Sequence, residues 1–112
     1  MILGNDFFVK EHFLAPQMPE EKKALFKRSV SNVVVEISSH CNRSCTYCPV
    51  SQVDRATSNK ILPESVFEKL IRELAEISYA GGVCLNLYNE PSSDRNLLLE
   101  RIRFTRNLLP GS

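Results

Sequence analysis

The chain has 112 residues, of which 43% are hydrophobic and 24% charged, with 4 Gly and 6 Pro. This composition is typical of a soluble globular protein, because it is too apolar for disorder and too charged for a membrane bundle. Fourteen Lys and Arg against 13 Asp and Glu give a formal net charge of +1, so no basic excess favours nucleic-acid binding. The chain has no apolar run that could span a bilayer and no secretory signal pattern, so we expect a cytoplasmic protein without a membrane partner. Its length allows one small domain and excludes a closed eight-unit α/β barrel, which needs about 200 residues.

Residues 1–31 show weak patterning, and we interpret them as an N-terminal extension or cover. A short helix is predicted within this region, from about Pro19 to Arg28. Proline stands at its start, Glu20 and Glu21 occupy its first turn, and basic residues occupy its last turn, as the helix dipole favours.

Residues 32–112 are predicted to alternate between strands and helices. β-branched and apolar residues predict strands over 33–38 and 83–88, and apolar residues at helical spacing predict helices over 63–78 and 94–109. This alternation implies parallel strands joined by right-handed crossovers, so the predicted fold class is α/β. Two parallel strands alone leave an edge uncovered, and we expect that edge to favour self-association.

The predicted helices have start and stop signals in the sequence. Ala80-Gly81-Gly82 follows the first helix with residues suited to a left-handed cap, and Ser93 or Asp94 can cap the second. The second helix also carries a basic run that we interpret as a solvated face. Its members are Arg95, Arg101, Arg103 and Arg106.

Each predicted strand has one apolar and one more polar face, because alternate residues of a strand point to opposite sides. The apolar faces are formed by Val33, Val35 and Ile37 in the first strand and by Val83, Leu85 and Leu87 in the second. We expect these faces to pack on the helices and the polar faces to line a cavity. Glu36 and Asn86 would then be lumen residues, although Glu36 could equally be a buried acid paired with a base.

Three of the four cysteines lie within eight residues, in the predicted loop 39–49 after the first strand. They are Cys41, Cys45 and Cys48. In a reducing compartment, clustered thiols indicate metal or redox chemistry sooner than disulfides. Loops at the carboxyl ends of parallel strands are where α/β proteins place their sites. Three close thiolates can hold three corners of a cubic iron–sulfur cluster and leave one iron open to an outside ligand.

The alternative is a non-catalytic module that holds zinc or an iron–sulfur cluster for structure or electron transfer. A zinc site would take His40 or Cys84 as its fourth ligand. Structural zinc usually takes paired ligands from two separated knuckles, and this sequence has no second knuckle. His40 is more simply a loop residue that packs beside the cluster. Cys84 is more simply a small buried strand residue.

The segment from Cys41 to Pro49, CNRSCTYCP, resembles the signature of the radical S-adenosylmethionine superfamily, which has three cysteines at this spacing and an aromatic residue before the third. Asn42 and Pro49 resemble the branch of cofactor-biosynthesis enzymes and peptide maturases. Tyr88-Asn89-Glu90-Pro91 resembles the Gly-Gly-Glu-Pro motif of the family, in which the strand end holds the amino group of S-adenosylmethionine, but both glycines are replaced. The resemblance covers about residues 33–109 and implies the first two βα units of a six-unit partial barrel, so we expect an incomplete barrel.

The resemblance also implies cofactors and a reaction. The cofactors would be a [4Fe–4S] cluster and S-adenosylmethionine bound to its open iron. Reductive cleavage of S-adenosylmethionine would give a 5′-deoxyadenosyl radical that abstracts hydrogen from a substrate, which the sequence does not identify. A one-electron reductant such as a flavodoxin or a ferredoxin would be a partner.

The resemblance also implies roles for particular residues. The cluster ligands would be Cys41, Cys45 and Cys48, and the contacts to S-adenosylmethionine would come from Tyr47, Asn89 and Glu90. Glu36 and Asn86 would lie near the cofactor. For Glu90 the alternative is an acid that interacts with a helix N-terminus.

Overall fold

The computed structural model describes residues 18–54 and 59–112, which form a mixed α/β fold. Its helices and strands are α1 (Pro19–Ser29), β1 (Asn32–Val34), α2 (Glu64–Glu76), β2 (Gly82–Cys84) and α3 (Arg95–Leu108). Short 3-10 helices cover Pro49–Gln52 and Pro91–Ser93. β1 and β2 pair in parallel, with Val33 opposite Val83. In the two described ranges, no helix is long and apolar enough to cross a membrane.

Both strands are shorter than the ranges 33–38 and 83–88 that the sequence predicts. The backbone N–H of Val35 still donates to the Cys84 carbonyl at 2.8 Å. Beyond that point the chain pairs elsewhere, since Ser38 forms an antiparallel bridge with Ile61 and the Leu62 N–H donates to the Ile37 carbonyl at 2.9 Å. The chain after β1 therefore leaves the parallel sheet and pairs with the segment that returns to α2.

The core lies between the sheet and the helices. Its buried hydrophobic residues are Val35, Ile37, Phe67, Ile71, Leu74, Tyr79 and Leu109. The prediction that the apolar face of the first strand packs on the helices is confirmed, because Val35 and Ile37 are buried in this cluster and Val33 packs against it. In the second strand Val83 and Leu85 also pack against the core. Leu87 does not, because β2 ends at Cys84 and leaves Leu87 57% exposed.

α2 ends before the predicted glycine cap. Ser78, with φ of 53°, has the left-handed conformation, and no described glycine has positive φ. The Tyr79 N–H donates to the Leu74 carbonyl at 3.0 Å, and the Ser78 N–H donates to the Ala75 carbonyl at 2.8 Å. This is the Schellman arrangement, so the prediction of a cap at Ala80-Gly81-Gly82 is wrong.

The two glycines serve a close approach of chain segments instead. A Cβ atom on Gly81 would lie 2.2 Å from the Tyr79 hydroxyl oxygen, and one on Gly82 would lie 2.2 Å from Oδ1 of Asn32. Tyr79 is buried against Phe26 of α1, with ring centroids 5.7 Å apart. A Cβ at Gly81 would also lie 2.7 Å from the Ser31 carbonyl oxygen, so glycine is needed at this position for β2 to start beside β1, whereas the exposed Asn32 side chain can move away from a Cβ at Gly82.

α3 begins at a side-chain cap, because Oδ1 of Asp94 accepts a hydrogen bond from the Leu97 N–H at 3.0 Å. The prediction that its arginines form a solvated face is wrong for Arg101, which is only 5% exposed. Its guanidinium carbon lies 4.9 Å from the centre of the Phe67 ring. The long stem and planar cation of arginine can cover an aromatic ring, so Arg101 belongs to the interface with α2.

Candidate functional site

The cysteine loop leaves the carboxyl end of β1 and returns beside it. The Ser39 N–H donates to the Lys60 carbonyl at 2.8 Å, and the Lys60 N–H donates to the Ser39 hydroxyl oxygen at 2.8 Å. These bonds close the base of the loop. The loop therefore lies at the end of the parallel sheet where α/β proteins place their sites.

The three clustered cysteines line one cavity of about 300 Å³. Cys41, Cys45 and Cys48 are each partly buried, and none of the four cysteines forms a disulfide. The Cys48 N–H donates to the Cys45 carbonyl at 3.1 Å, so these two residues flank a tight turn. Within residues 18–54 and 59–112, no three His, Cys, Asp or Glu side chains already form a group that could hold a metal ion. The thiols thus share a cavity without meeting at a common centre.

The donor set of this cavity fits an iron–sulfur cluster with three protein ligands. Thiolates are the ligands that such clusters take, and a cysteine can redirect its sulfur by changing between staggered side-chain rotamers. The alternative fourth ligands of a zinc site line other cavities. His40 lines a cavity with Asn59 at the start of α3, and Cys84 lines a cavity between β2 and α3.

Glu90 is joined to the cysteine loop by two contacts. Its Oε2 atom lies 2.9 Å from Nε of Arg43, and its backbone N–H donates to the His40 carbonyl at 2.9 Å. Its Oε1 atom accepts hydrogen bonds from the Ser92 hydroxyl at 2.5 Å and from the Ser92 N–H at 3.3 Å. The hydroxyl of Ser92 and, more weakly, the charge of Arg43 lower the pKa of Glu90 against the opposing effect of burial. The carboxylate is therefore charged near neutral pH.

Tyr88 and Asn89 stand where the family motif has two glycines, and side-chain hydrogen bonds hold the backbone around them. Oε1 of Glu36 accepts a hydrogen bond from the Tyr88 N–H at 2.6 Å. Asn89 is buried, its Oδ1 accepts from the Leu87 N–H at 3.1 Å, and its Nδ2 donates to the Leu85 carbonyl at 3.5 Å. Neither Tyr88 nor Asn89 has positive φ, so this backbone does not need glycine.

The structure does not bring every predicted site residue to the cysteine cavity. Tyr47 is 88% exposed and is absent from the described lining of that cavity. Asn86 lines the cavity between β2 and α3, where its Oδ1 accepts a hydrogen bond from the Cys84 thiol at 3.1 Å. Glu36 accepts the hydrogen bond from the Tyr88 N–H and so holds the backbone of the segment that follows β2.

Sequence reasoning missed two residues that the structure brings to Glu90. Arg43 stands between two of the clustered cysteines, and Ser92 follows the Glu90-Pro91 pair. The one sequence feature that could have indicated this contact is the charged Arg43 inside the cysteine motif. Neither periodicity nor spacing predicts a contact between the two loops.

Comparisons with known proteins relate the chain to S-adenosylmethionine enzymes. No protein-family model matches it. It is 34% identical over 67 residues to the S-adenosyl-L-methionine-dependent 2-deoxy-scyllo-inosamine dehydrogenase of Niallia circulans, in an alignment that covers 60% of this chain and 26% of that enzyme. Its structure is similar to BtrN in complex with AdoMet and 2-DOIA and to BtrN in an open conformation, in both cases with a TM-score of 0.62 and 28% identity.

The likeness to BtrN covers 73% of this chain and 32% and 35% of the two BtrN chains. The chain therefore spans about a quarter of the curated relative and about a third of the solved structures. The curated relative is an S-adenosylmethionine-dependent enzyme, and one of the BtrN structures contains AdoMet. These comparisons single out no branch, but they support the similarity to the radical S-adenosylmethionine superfamily that the cysteine motif indicates.

Proposed function

We propose that the chain carries the cluster site and part of the S-adenosylmethionine site of a radical S-adenosylmethionine enzyme. Three thiols line one cavity at the carboxyl end of the parallel sheet, and Arg43 in the wall of that cavity pairs with Glu90. This observation carries the proposal. The ligands of the cluster would be the thiols of Cys41, Cys45 and Cys48. The two strand–helix pairs would be two units of a six-unit partial barrel, and the chain would be a part of such an enzyme.

The residues of the chain would bind, orient and shield the reactants. With a [4Fe–4S] cluster bound, the chemistry that it supplies is one-electron reduction of S-adenosylmethionine, whose cleavage gives a 5′-deoxyadenosyl radical for hydrogen abstraction from the substrate. Cys41, Cys45 and Cys48 would hold the cluster through three thiolates and would leave a position for the amino and carboxylate groups of S-adenosylmethionine. Glu90 would accept hydrogen bonds from that amino group.

The remaining predicted site residues would support the contact between Glu90 and S-adenosylmethionine. Glu36 and Asn89 hold the backbone of the second strand end through the hydrogen bonds described above. Tyr47 would pack near the cluster and the adenine, and Asn86 would face the lumen of the completed barrel. The apolar core behind the sheet would help to exclude water from the radical.

The partners of this reaction are also part of the proposal. They would be a one-electron reductant such as a flavodoxin or a ferredoxin, and a substrate that is not identified. We also propose a cytoplasmic location, because a reducing compartment would keep the clustered thiols free to act as ligands.

Anaerobic reconstitution with iron and sulfide tests the ligand assignment. The parent chain should take up about four irons and show broad visible absorbance. The variants Cys41→Ala, Cys45→Ala and Cys48→Ala should each lose the cluster. The matched control Cys84→Ala should keep it, since Cys84 lines a different cavity. Loss of the cluster in Cys84→Ala as well would contradict the assignment of three ligands.

Cleavage of S-adenosylmethionine tests the enzymatic part of the proposal. The reconstituted chain with excess dithionite should release 5′-deoxyadenosine, measured by chromatography, and the three cysteine variants should release none. Tight zinc binding without a cluster would favour the structural module instead. A stable cluster that cleaves no S-adenosylmethionine would favour an electron-transfer module.

A further inference from the structure

We propose that Arg43 is a second recognition residue for S-adenosylmethionine, which binds the carboxylate of its methionine part while Glu90 binds its amino group. This inference rests on the proposed function. It adds a residue that neither the motif resemblance nor the comparisons assign.

Arg43 has the position and the freedom that this role needs. It lies between Cys41 and Cys45 and lines the cysteine cavity. Its side chain is 67% exposed, so it can turn from Glu90 to a ligand without burying an unpaired charge. In the described structure its Nε lies 2.9 Å from Oε2 of Glu90.

Glu90, in contrast, is held in place. Ser92 donates two hydrogen bonds to Oε1, and the Glu90 N–H is bonded to the His40 carbonyl. The side chain of Glu90 is 22% exposed, much less than that of Arg43. Oε2 is therefore an anionic position held at the cysteine loop, and Arg43 is a more exposed cation beside it.

An α-amino acid group matches such a pair of charges. Its amino and carboxylate groups are attached to the same carbon, so a protein that reads both must place a hydrogen-bond acceptor for the N–H groups and a cation side by side. Arginine suits the second task, because its planar fork of donors pairs with a carboxylate in a defined geometry. Without ligand, Arg43 and Glu90 neutralise each other. With ligand, Arg43 would pair with the carboxylate of the amino acid, and Glu90 would accept hydrogen bonds from its amino group.

Equilibrium dialysis on the cluster-loaded chain tests this role with two ligands. S-adenosylmethionine carries both charges, whereas its decarboxylated form keeps the amine and the sulfonium and lacks the carboxylate. Arg43→Gln should weaken binding of S-adenosylmethionine about tenfold, the size expected for a partly exposed charge-assisted hydrogen bond. Its affinity for the decarboxylated ligand should not fall below that of the parent, and Arg43→Lys should recover part of the lost affinity for S-adenosylmethionine.

Two controls make the result specific to Arg43. Arg103→Gln removes an exposed arginine of α3 and should leave the affinity for both ligands unchanged. Glu90→Gln should weaken binding of both ligands, because both carry the amine. Iron content and circular dichroism of each variant check that the cluster and the fold are intact.

Three results are distinguishable. If Arg43→Gln binds S-adenosylmethionine as tightly as the parent, or more tightly, Arg43 only occupies Glu90 and the inference fails. If this variant loses affinity for both ligands equally, Arg43 acts by holding Glu90, and the inference fails as well. If the cluster-loaded parent binds no S-adenosylmethionine, the proposed function fails first and the inference falls with it.

Discussion

Glu90 forms several electrostatic interactions at the candidate site. Its two carboxylate oxygens have different partners, with Ser92 on Oε1 and Arg43 on Oε2. The hydroxyl of Ser92 is the largest cause of the lowered pKa, ahead of the charge of Arg43. This order is physically reasonable, because Arg43 is two-thirds exposed and solvent screens its charge. The ion pair therefore orients the carboxylate more than it stabilises the fold.

Ser92→Ala should raise the pKa of Glu90 towards its ordinary value, because the variant loses the strongest donor to the carboxylate. A carboxyl whose folded pKa is lowered stabilises the protein above its unfolded pKa of about 4.3, and this contribution is lost as the pH falls through the folded pKa. The variant should lose less stability on acidification than the parent. A carbon-13 NMR titration of the Glu90 carboxyl measures the shift.

Ser93→Ala is the matched control for this titration. The Ser93 hydroxyl donates at 2.7 Å to the backbone carbonyl of Glu90 and leaves its carboxylate untouched. It should therefore leave the titration midpoint of Glu90 where it is in the parent. Equal midpoints in Ser92→Ala and the parent would show that Ser92 does not set this pKa.

At the scale of the elements, the C-terminal cap of α2 lies at a different residue from the one that the glycines of the sequence predict. Two adjacent glycines follow the helix, yet Ser78 takes the left-handed conformation. Gly81 lies against Tyr79 and the Ser31 carbonyl, and the helix ends at Glu76, five residues before it. A serine in this conformation has a steric cost that glycine lacks.

Ser78→Gly should therefore stabilise the chain, by about 1 kcal/mol at most, since glycine relieves the left-handed strain and lowers stability only through unfolded-state entropy. Urea unfolding followed by circular dichroism measures the change. Ser65→Gly, in the first turn of the same helix, should destabilise the chain by up to about 1 kcal/mol. A lower stability for Ser78→Gly would mean that the Ser78 side chain makes a contribution larger than its backbone strain.

At the scale of the whole molecule, the described sheet has two strands and an open side. A cavity of about 420 Å³ lies between β2 and α3, and its lining includes Leu85, Leu98 and Ile102. Ile102 is 40% exposed there. An apolar surface beside an unpaired strand edge favours association, as the sequence pattern also predicts.

The chain is therefore expected to self-associate, and Ile102→Glu should shift it towards the monomer by placing a charge on this surface. Sedimentation velocity over a range of concentrations measures the distribution. Val66→Glu is a suitable control, because Val66 is 50% exposed on α2 and lies outside this cavity. A parent chain that stays monomeric at every concentration would refute the prediction.

Sequence alone was informative wherever structure depends on neighbours along the chain. Helical spacing predicted a helix over 63–78, and α2 lies inside that range. The sequence offered Ser93 or Asp94 as the cap of the second helix, and the structure shows that Asp94 caps it. The spacing of the three cysteines placed them in one loop, and the structure adds that they line one cavity.

Tertiary structure alone decided the features that join distant segments. The burial of Arg101 depends on Phe67 of another helix, and the early end of β1 depends on Ile61. The pairing of Arg43 with Glu90 likewise joins two loops at the ends of parallel strands. Periodicity and motif spacing describe residues that are close in sequence. Such contacts arise only when the folded backbone brings separate segments together, so the sequence determined the donor groups of the site and the fold determined which of them meet.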